Sequence, residues 1–396
     1  MLLCCCCMTM CSVGCGVNCA GLFYQPIAEE FRTGIGSVSL YQTLLCLNCG
    51  FFGPLAVRCC RKYDIRLVLF LSGALSVGCF VAMANITAVW QLYFWAVFLG
   101  ASIAFYGMVT VTLVIGNWFH ALLGTAVGIA QSCSGIGGAV LNPALSLVMA
   151  RWGWRGTYFT MALLIALFLA PGVILLRNTP QDLGMEPYGG TQAAQQVSKG
   201  QPTQTDERRG GRDLILICLI GFVCACCSSM GTHLSGYANA GAFPAQLGVF
   251  MISVAMVGNF SGKFLLGLMA DRLGARKSIL IINFTALCGF CILTFPVFRG
   301  WVMMIMASVL LGATYSLHGV GLSMVAKERF HPDVFAHKYA LSQVSTSVGS
   351  ALSYAAIGYS YDIFGTYKVA TVVGMVFLLM AAVATQVIYR PESRSL

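Results

Sequence analysis

The sequence predicts an all-α membrane protein with twelve transmembrane helices in two pseudo-symmetric bundles of six. Three observations predict this fold: the composition, the spacing of the apolar segments, and a repeat of the first half within the second. Of the 396 residues, 58% are hydrophobic and only 9% are charged, whereas a soluble domain carries about 25% charged residues. The mean hydropathy is +0.81. The first expected partner of this chain is therefore the lipid bilayer.

Twelve apolar segments are long enough to cross a bilayer, which takes about 20 helical residues. The first six lie at 3–25, 37–57, 66–86, 90–115, 122–149 and 155–176, and we interpret the first as a transmembrane helix, not a cleaved signal. The second six lie at 213–236, 244–268, 278–297, 301–325, 338–360 and 367–389. A stretch rich in Gln, Gly and Thr separates them. We expect bundles at 1–176 and 213–396, joined by a cytoplasmic linker at 177–212.

The distribution of basic residues predicts the orientation. If both termini are cytoplasmic, 17 of the 23 Lys and Arg residues lie on the cytoplasmic side and five lie outside. Cytoplasmic loops of membrane proteins carry such an excess. The sequence therefore predicts a multi-pass protein of the plasma or inner membrane with both termini inside. Lys263 alone is assigned to neither side.

The second half repeats the first at an offset of 212 residues. Leu99-Gly-Ala-Ser-Ile-Ala-Phe-Tyr-Gly107 matches Leu311-Gly-Ala-Thr-Tyr-Ser-Leu-His-Gly319, and at the same offset Gln131, Gly137 and Gly153 fall on Gln343, Gly349 and Gly365. Two parallel six-helix repeats are the layout of a secondary transporter whose site lies between them at mid-depth.

Several other functions are disfavoured. The net charge of +10 is scattered over short loops without interleaved aromatic residues, so we expect no nucleic acid partner. Most of the 19 cysteines fall within apolar runs, where they act as small apolar side chains. We expect no metal, no cofactor and no enzymatic activity, because metal-ligand spacing, a nucleophile elbow and a phosphate-binding glycine loop are absent from the sequence. We expect a monomer.

The segment Asn259 to Lys277 combines an apolar helix with a charged loop. Lys263 lies eight residues before Asp271, roughly 12 Å deeper in the membrane at the helical rise of 1.5 Å per residue. A lysine side chain hardly snorkels that far. We therefore expect Lys263 to face an internal cavity, with Asn259 one turn earlier on the same face. The alternatives are a lysine that snorkels and an asparagine that only holds helices together.

The loop Gly267-Leu-Met-Ala-Asp-Arg-Leu-Gly-Ala-Arg-Lys277 resembles the signature loop of the major facilitator superfamily. That resemblance implies the major facilitator fold. It also implies that Asp271, Arg272 and Arg276, with Gly267, form a charge relay at the cytoplasmic gate. The first-half copy is degraded, because Val57 replaces the acid and Cys60 the glycine.

Further motifs are similar to monocarboxylate and oxalate/formate transporters. They are the runs Tyr24–Phe31, Gly128–Gly135, Trp152–Arg155, Arg177–Pro187 and His233–Tyr237. In that group a helix-eight arginine binds the substrate carboxylate, and Lys263 stands at its position, with Asn259 one turn before. Oxalate-type members carry a second cation in helix eleven, where this chain has Thr346. The resemblance thus implies a site for a single carboxylate, with His233 as a candidate contact near the outer end of helix seven.

Repeat-related polar residues are further candidates for the substrate site. Tyr106 and His318 occupy equivalent places on helices four and ten, and Gln131 and Gln343 on helices five and eleven. For each of the four, hydrogen bonding or close packing between helices is the alternative role.

These observations predict a secondary active transporter that moves a small organic anion, most simply a monocarboxylate, by alternating access. Proton-linked transport, through a desolvated Lys263, and anion exchange both stay open, and protons are a candidate second partner. The alternatives are an exporter of another small metabolite or drug on the same scaffold, and a membrane sensor that no longer transports.

Overall fold

The computed structural model describes residues 1–119, 123–189, 206–241, 243–295 and 300–390. Ten of its helical segments are long and apolar enough to cross a membrane. One of them, Thr125–Leu175, contains two helices that meet at Gly153, where the backbone leaves the helical conformation. A further helix of 33 residues, Pro332–Phe364, is more polar because serine and threonine interrupt its apolar residues. The described residues thus contain the twelve helices that the sequence predicts.

The helices form two sets of six. The first set is α1 Leu2–Leu22, α2 Ile35–Lys62, α3 Ile65–Ala84, α4 Val89–Trp118, α5 123–152 and α6 154–175. The second set is α7 Gly211–Ala240, α8 Ala245–Leu273, α9 Ala275–Thr294, α10 Trp301–Arg329, α11 Pro332–Phe364 and α12 Lys368–Ile388. We call the end of the bundle where α1 begins and α12 ends the terminal face, and the opposite end the distal face.

Each set has its own hydrophobic core. One core cluster runs from Cys4 to Leu176, with Ala351 and Tyr354 of α11 added, and the other runs from Ile217 to Ile388. Part of the predicted linker, residues 190–205, lies outside the described residues. The boundaries of the two bundles therefore stay a prediction.

Glycines related by the internal repeat make equivalent contacts in the two halves. A Cβ on Gly137 would lie 3.2 Å from the backbone of Gly14 in α1, and one on Gly349 would lie 3.0 Å from Cα of Phe222 in α7. Gly153 and Gly365 both adopt positive φ, 68° and 64°, where α5 and α11 end. Because L side chains disfavour that region, glycine is required at both ends. The structure thus confirms the repeat in its packing.

The two halves meet closely toward the distal face and separate toward the terminal face. A Cβ on Gly135 of α5 would lie 2.6 Å from the backbone nitrogen of Phe260 in α8. On Gly128, two turns nearer the terminal face, the nearest atom would be the carbonyl oxygen of Lys263 at 3.9 Å. A Cβ on Gly267 would meet no atom within 4 Å. The space between α5 and α8 therefore widens toward the terminal face.

The close contact at Gly135 predicts an effect of mutation. Gly135→Ala would force two backbones apart, and overpacking of this kind costs about 1–3 kcal/mol. We expect a lower thermal unfolding temperature of the purified protein. Gly128→Ala on the same helix is the matched control and should unfold near the wild-type temperature. Equal loss in both variants would contradict the tight α5–α8 contact.

Candidate functional site

A cavity of about 140 Å³ lies between the two halves. It is lined by residues of α1, α2, α4, α7, α8, α10 and α11, and the exposed Pro54 lies on its wall. Its polar lining side chains are Asn18, Ser228, Lys263, Tyr315, His318, Gln343, Thr346, Ser347, Ser350 and Tyr354. Among the described lining residues there is no carboxylate, and Lys263 is the one charged side chain.

Lys263 reaches from α8 of the second half to α5 of the first. Its side chain is 1% exposed. The Nζ atom donates to Oγ of Ser134 at 2.7 Å and to the main-chain oxygen of Gln131 at 3.3 Å. In the described residues no carboxylate pairs with this ammonium group. The predicted cavity-facing position of Lys263 is thus the position that the structure shows.

Four of the helices that line the cavity contain irregular backbone. α1 contains a π-helical turn at Met10–Cys15, and α4 breaks at Gly107. α7 contains a 3₁₀ turn at Met230–His233, and α10 a π-helical turn at Leu317–Gly321. Unwound backbone at membrane depth is tolerated where it lines a cavity, and π-turns are frequent at functional sites. The cavity thus lies beside the irregular segments of α1, α4 and α10, which contribute Val13, Gly107 and His318 to its lining.

The repeat-related residues Tyr106 and His318 have different surroundings in the structure. His318 lines the cavity, and its Nε2 is buried without a partner among the described residues. Tyr106 is fully buried and lies 2.8 Å from Oγ of Ser76, and it is not among the lining residues. The backbone breaks directly after Tyr106 at Gly107, whereas α10 continues through its π-turn. Local backbone geometry therefore turns the two side chains to different neighbours.

The remaining predicted contacts fall into two groups. Gln343 lines the cavity. The main-chain oxygen of Gln131 accepts a hydrogen bond from Lys263, and its side-chain Nε2 donates to Oγ1 of Thr112 at 3.3 Å. Asn259 and His233 are buried but are not among the described lining residues. Asn259 contacts the sulfur of Met256 at 3.8 Å, and His233 lies 3.2 Å from the main-chain oxygen of Tyr354.

Sequence reasoning missed Asn18 and Tyr315. Asn18 lines the cavity, donates from Nδ2 to the main-chain oxygen of Ser134 at 3.1 Å, and leaves Oδ1 buried without a described partner. Tyr315 also lines the cavity, and its hydroxyl is buried without a described partner. Asn18 is an amide within the apolar first segment, and Tyr315 lies one turn before His318. Both polar residues are visible in the sequence, but only the cavity shows that they belong to the site.

The loop after α8 is built as its sequence suggests, and its first-half copy is not. α8 ends at Leu273, and Gly274 follows with φ of 81°. Cys60 replaces that glycine in the first half, and α2 continues helically to Lys62. Arg272 and Arg276 are exposed, and Arg276 donates to Gln386. The side chain of Asp271 lies outside the described part of the structure, so the predicted charge relay stays a prediction.

Hydrogen bonds between the halves close the distal face. Oγ1 of Thr43 donates to the main-chain oxygen of Ala351 at 2.5 Å, and Asn239 donates to Gln25 at 2.7 Å. The carboxylate of Asp362 in α11 accepts a hydrogen bond from the backbone nitrogen of Gly36 at 2.9 Å. Asp362 thus caps the N-terminus of α2, where backbone N–H groups lack partners within the helix. The cavity is therefore closed on the distal side.

A separate polar cluster fastens the segment after α1 to α6. Glu30 accepts from Nε1 of Trp154 at 2.6 Å and from the guanidinium of Arg155 at 2.7 Å. Partial burial alone would raise the pKa of Glu30, but these hydrogen bonds and the charge of Arg155 outweigh it and hold the pKa below its ordinary value. All three side chains belong to the first half, so the cluster supports that half and does not bridge the two.

Comparison with known proteins decides the family. A model described as the Major Facilitator Superfamily matches residues 6–241 and 222–396. The chain belongs to the major facilitator superfamily. A solved structure of the nucleoside transporter NupG covers 98% of this chain and 99% of its own, with a TM-score of 0.72 at 12% identity. The all-α fold of two six-helix bundles is thereby confirmed for a multi-pass membrane protein.

The curated relatives are transporters, not enzymes. An MFS-type transporter of Aspergillus fumigatus is 26% identical over 395 residues, which cover 93% of this chain and 87% of that protein. Monocarboxylate transporter 12-B of Danio rerio is 23% identical over 378 residues, covering 88% and 78%. The glycerol-3-phosphate transporter of Bacillus subtilis is 28% identical over 171 residues, 42% and only 38% of the two chains. The resemblance to monocarboxylate transporters is confirmed.

The distal cap of α2 generates a prediction. Asp362→Ala removes the carboxylate that holds α2 to α11, and loss of a helix cap costs about 1 kcal/mol. We expect the ratio of distal-closed to distal-open molecules to fall about fivefold, measured as distances between spin labels on the distal loops of the two halves. Asp362→Asn keeps an acceptor oxygen and should behave like the wild type. An unchanged distance distribution in Asp362→Ala would refute the cap.

Proposed function

We propose that this protein is a secondary active transporter of a small organic monoanion, of which a monocarboxylate is the simplest case. One observation carries the proposal: among the described residues that line the cavity between the halves, the ammonium group of Lys263 is buried and no carboxylate is present. An ionised group at mid-bilayer costs about 2.5–3.5 kcal/mol on insertion scales. A buried ion at this cost indicates a functional role, and the ligand that an ammonium group attracts is an anion.

The surroundings of Lys263 favour one negative charge over two. Thr346, at the place of a possible second cation, also lines the cavity and is neutral. An ammonium group is a point charge, so it does not impose the planar two-point geometry that arginine imposes on a carboxylate. A monoanion would therefore neutralise the site. It would also take over the ammonium hydrogen bonds that Ser134 and Gln131 accept.

The remaining lining groups favour an anion that carries further polar atoms. Asn18 Oδ1 is an unpartnered acceptor among the described residues, Gln343 Nε2 is an unpartnered donor, and the Tyr315 hydroxyl can act as either. A buried polar atom without a partner costs about 1–3 kcal/mol, so a substrate hydroxyl or carbonyl that pairs with it gains that much. These atoms select within the class of small anions.

The relatives support the same class. Two of them are named for transport of monocarboxylates and of glycerol 3-phosphate. We infer that this chain likewise carries a small anion, and that its singly charged lysine site favours monocarboxylates.

Alternating access follows from the two faces. The halves are joined at the distal face, and the space between α5 and α8 widens toward the terminal face. The excess of basic residues on the terminal face supports a cytoplasmic location for that face and for both chain termini, and we propose the plasma or inner membrane as the location of the protein. The conformation is then inward-facing. Anion entry neutralises Lys263, which lowers the free energy of closing the cavity around the substrate.

Two coupling schemes are compatible with this cavity. In the first, a titratable group of the lining, Lys263 or the imidazole of His318, exchanges a proton as the cavity opens and closes, since the described lining contains no carboxylate. In the second, one anion leaves as another enters. Uptake into proteoliposomes with and without an inward proton gradient separates them. Stimulation by the gradient supports the first scheme, and stimulation by anion loaded inside supports the second.

The charge of Lys263 is tested by substitution. Lys263→Gln should abolish uptake of carboxylates into proteoliposomes, because the amide cannot neutralise the anion, and Lys263→Arg should retain part of it. Lys368→Gln, at the exposed start of α12, is the control and should transport normally. Unchanged uptake by Lys263→Gln would contradict the neutralisation of the anion by Lys263 and would favour an exporter of another metabolite. Absence of counterflow for every anion would favour a sensor.

The hydrogen-bonding role of Asn18 is tested by selectivity. Asn18→Leu keeps the number and branching of the side-chain heavy atoms and removes the unpartnered acceptor. We expect kcat/KM to fall about tenfold for a hydroxyl-bearing monocarboxylate and to change little for the analogue without the hydroxyl. Competition uptake assays measure both. An equal fall for both anions would show that Asn18 acts only through packing.

A further inference from the structure

A second cavity, of about 390 Å³, lies on the outer surface of the first half between α2, α3 and α4. We call it the α3 groove. Its rim consists of large exposed side chains, Tyr63, Leu67 and Leu71. Its floor contains the small, buried Ser72 and Ser102. The groove thus exists because small side chains lie between large ones on a face turned away from the transport cavity.

The floor of the α3 groove offers no free polar group. Oγ of Ser72 donates to the main-chain oxygen of Val68 at 2.8 Å, and Oγ of Ser102 donates to that of Leu99 at 2.8 Å. Both hydroxyls are therefore satisfied within their own helices. The groove runs from Leu67 to Leu75, roughly 12 Å along α3, which is close to one leaflet of a hydrocarbon core about 30 Å thick. Its interior fits an apolar chain.

The terminal-face end of the groove is basic. Arg58, Arg61 and Lys62 lie exposed in the last turns of α2, and Nζ of Lys62 lies 5.4 Å from the ring centre of Tyr63 on the groove rim. Within the described ranges none of these three cations forms an ion pair, whereas Arg66 is paired with Asp64 at 3.1 Å. The sequence explains the surplus, since Val57 stands where the signature loop has an acid.

We propose that the α3 groove binds one anionic phospholipid of the leaflet at the terminal face. One of its acyl chains lies in the groove, and its phosphate is held by Lys62, beside Tyr63, and by Arg58, one turn earlier on the same face of α2. Two independent features coincide here, an apolar channel of one-leaflet depth and uncompensated positive charge at its mouth. A neutral lipid would fill the channel but leave the cations unpaired. The degraded loop thus serves as a lipid site, independently of what the central cavity transports.

Native mass spectrometry of the purified protein tests the proposal. The probes are phosphatidylglycerol and phosphatidylcholine with identical acyl chains. The wild type should retain one phosphatidylglycerol more tightly than phosphatidylcholine. The double variant Arg58→Gln, Lys62→Gln should bind phosphatidylglycerol about 30-fold more weakly, given the usual contribution of two basic residues near an anionic surface. The exposed pair Lys327→Gln, Arg390→Gln is the charge-matched control and should retain it.

Further experiments distinguish the contribution of the groove from that of the basic residues. Ser72→Leu fills the floor without changing charge and should also release the tightly held lipid, and folding of this variant is checked by its thermal unfolding temperature. Inorganic phosphate should not displace the lipid, because it lacks the chain. Equal retention of both lipids by the wild type, undiminished phosphatidylglycerol binding in the Arg58, Lys62 double variant, or full displacement by phosphate would each overturn the proposal.

Discussion

The central cavity depends on the burial of one ammonium group at the boundary between two half-molecules. Lys263 belongs to the second half, and the oxygen atoms that receive its hydrogen bonds belong to the first. A charge held this way is tolerable only while polar atoms face it, since an isolated ion in low dielectric is costly. The same group therefore stabilises contact between the halves when the site is empty, and in the proposed function it attracts an anion when one is present. Under that proposal, anion binding and the relative position of the halves are linked through one atom, Nζ of Lys263.

The backbone around that atom is arranged to supply partners. Four helices lose regular geometry beside the cavity, in α1, α4, α7 and α10. In a membrane such breaks are stable only where other groups or water meet the freed backbone. The tight glycine contacts between α5 and α8, and the distal cap of α2 by Asp362, place these irregular segments against each other. Regular packing at one end of the molecule thus supports irregular, polar backbone at its centre.

The two halves share the backbone contacts of their repeated glycines but differ in their polar side chains and loops. Gly137 and Gly349 approach the first helix of their own halves in the same way. Tyr106 and His318, also equivalent, face different surroundings, and the two copies of the signature loop end their helices differently. Close backbone contacts tolerate no Cβ, so they resist change. Polar side chains and loops can differ between the halves. As a result, the second half carries the buried charge of Lys263, and the first half carries the exposed cations at the end of α2.

The sequence alone determined the twelve helices, the two-fold repeat, the family and the depth of Lys263, because hydrophobic length, spacing and sparse charge are properties of the chain itself. It also indicated His318 and Gln343, which line the cavity. It could not reveal Asn18 and Tyr315, nor separate them from Tyr106, Asn259 and His233. All of these are polar residues in apolar helices, and a one-residue change in helix phase or one π-turn decides whether such a side chain meets the cavity or another helix. Only the tertiary structure, which sets helix rotation and crossing, decided that.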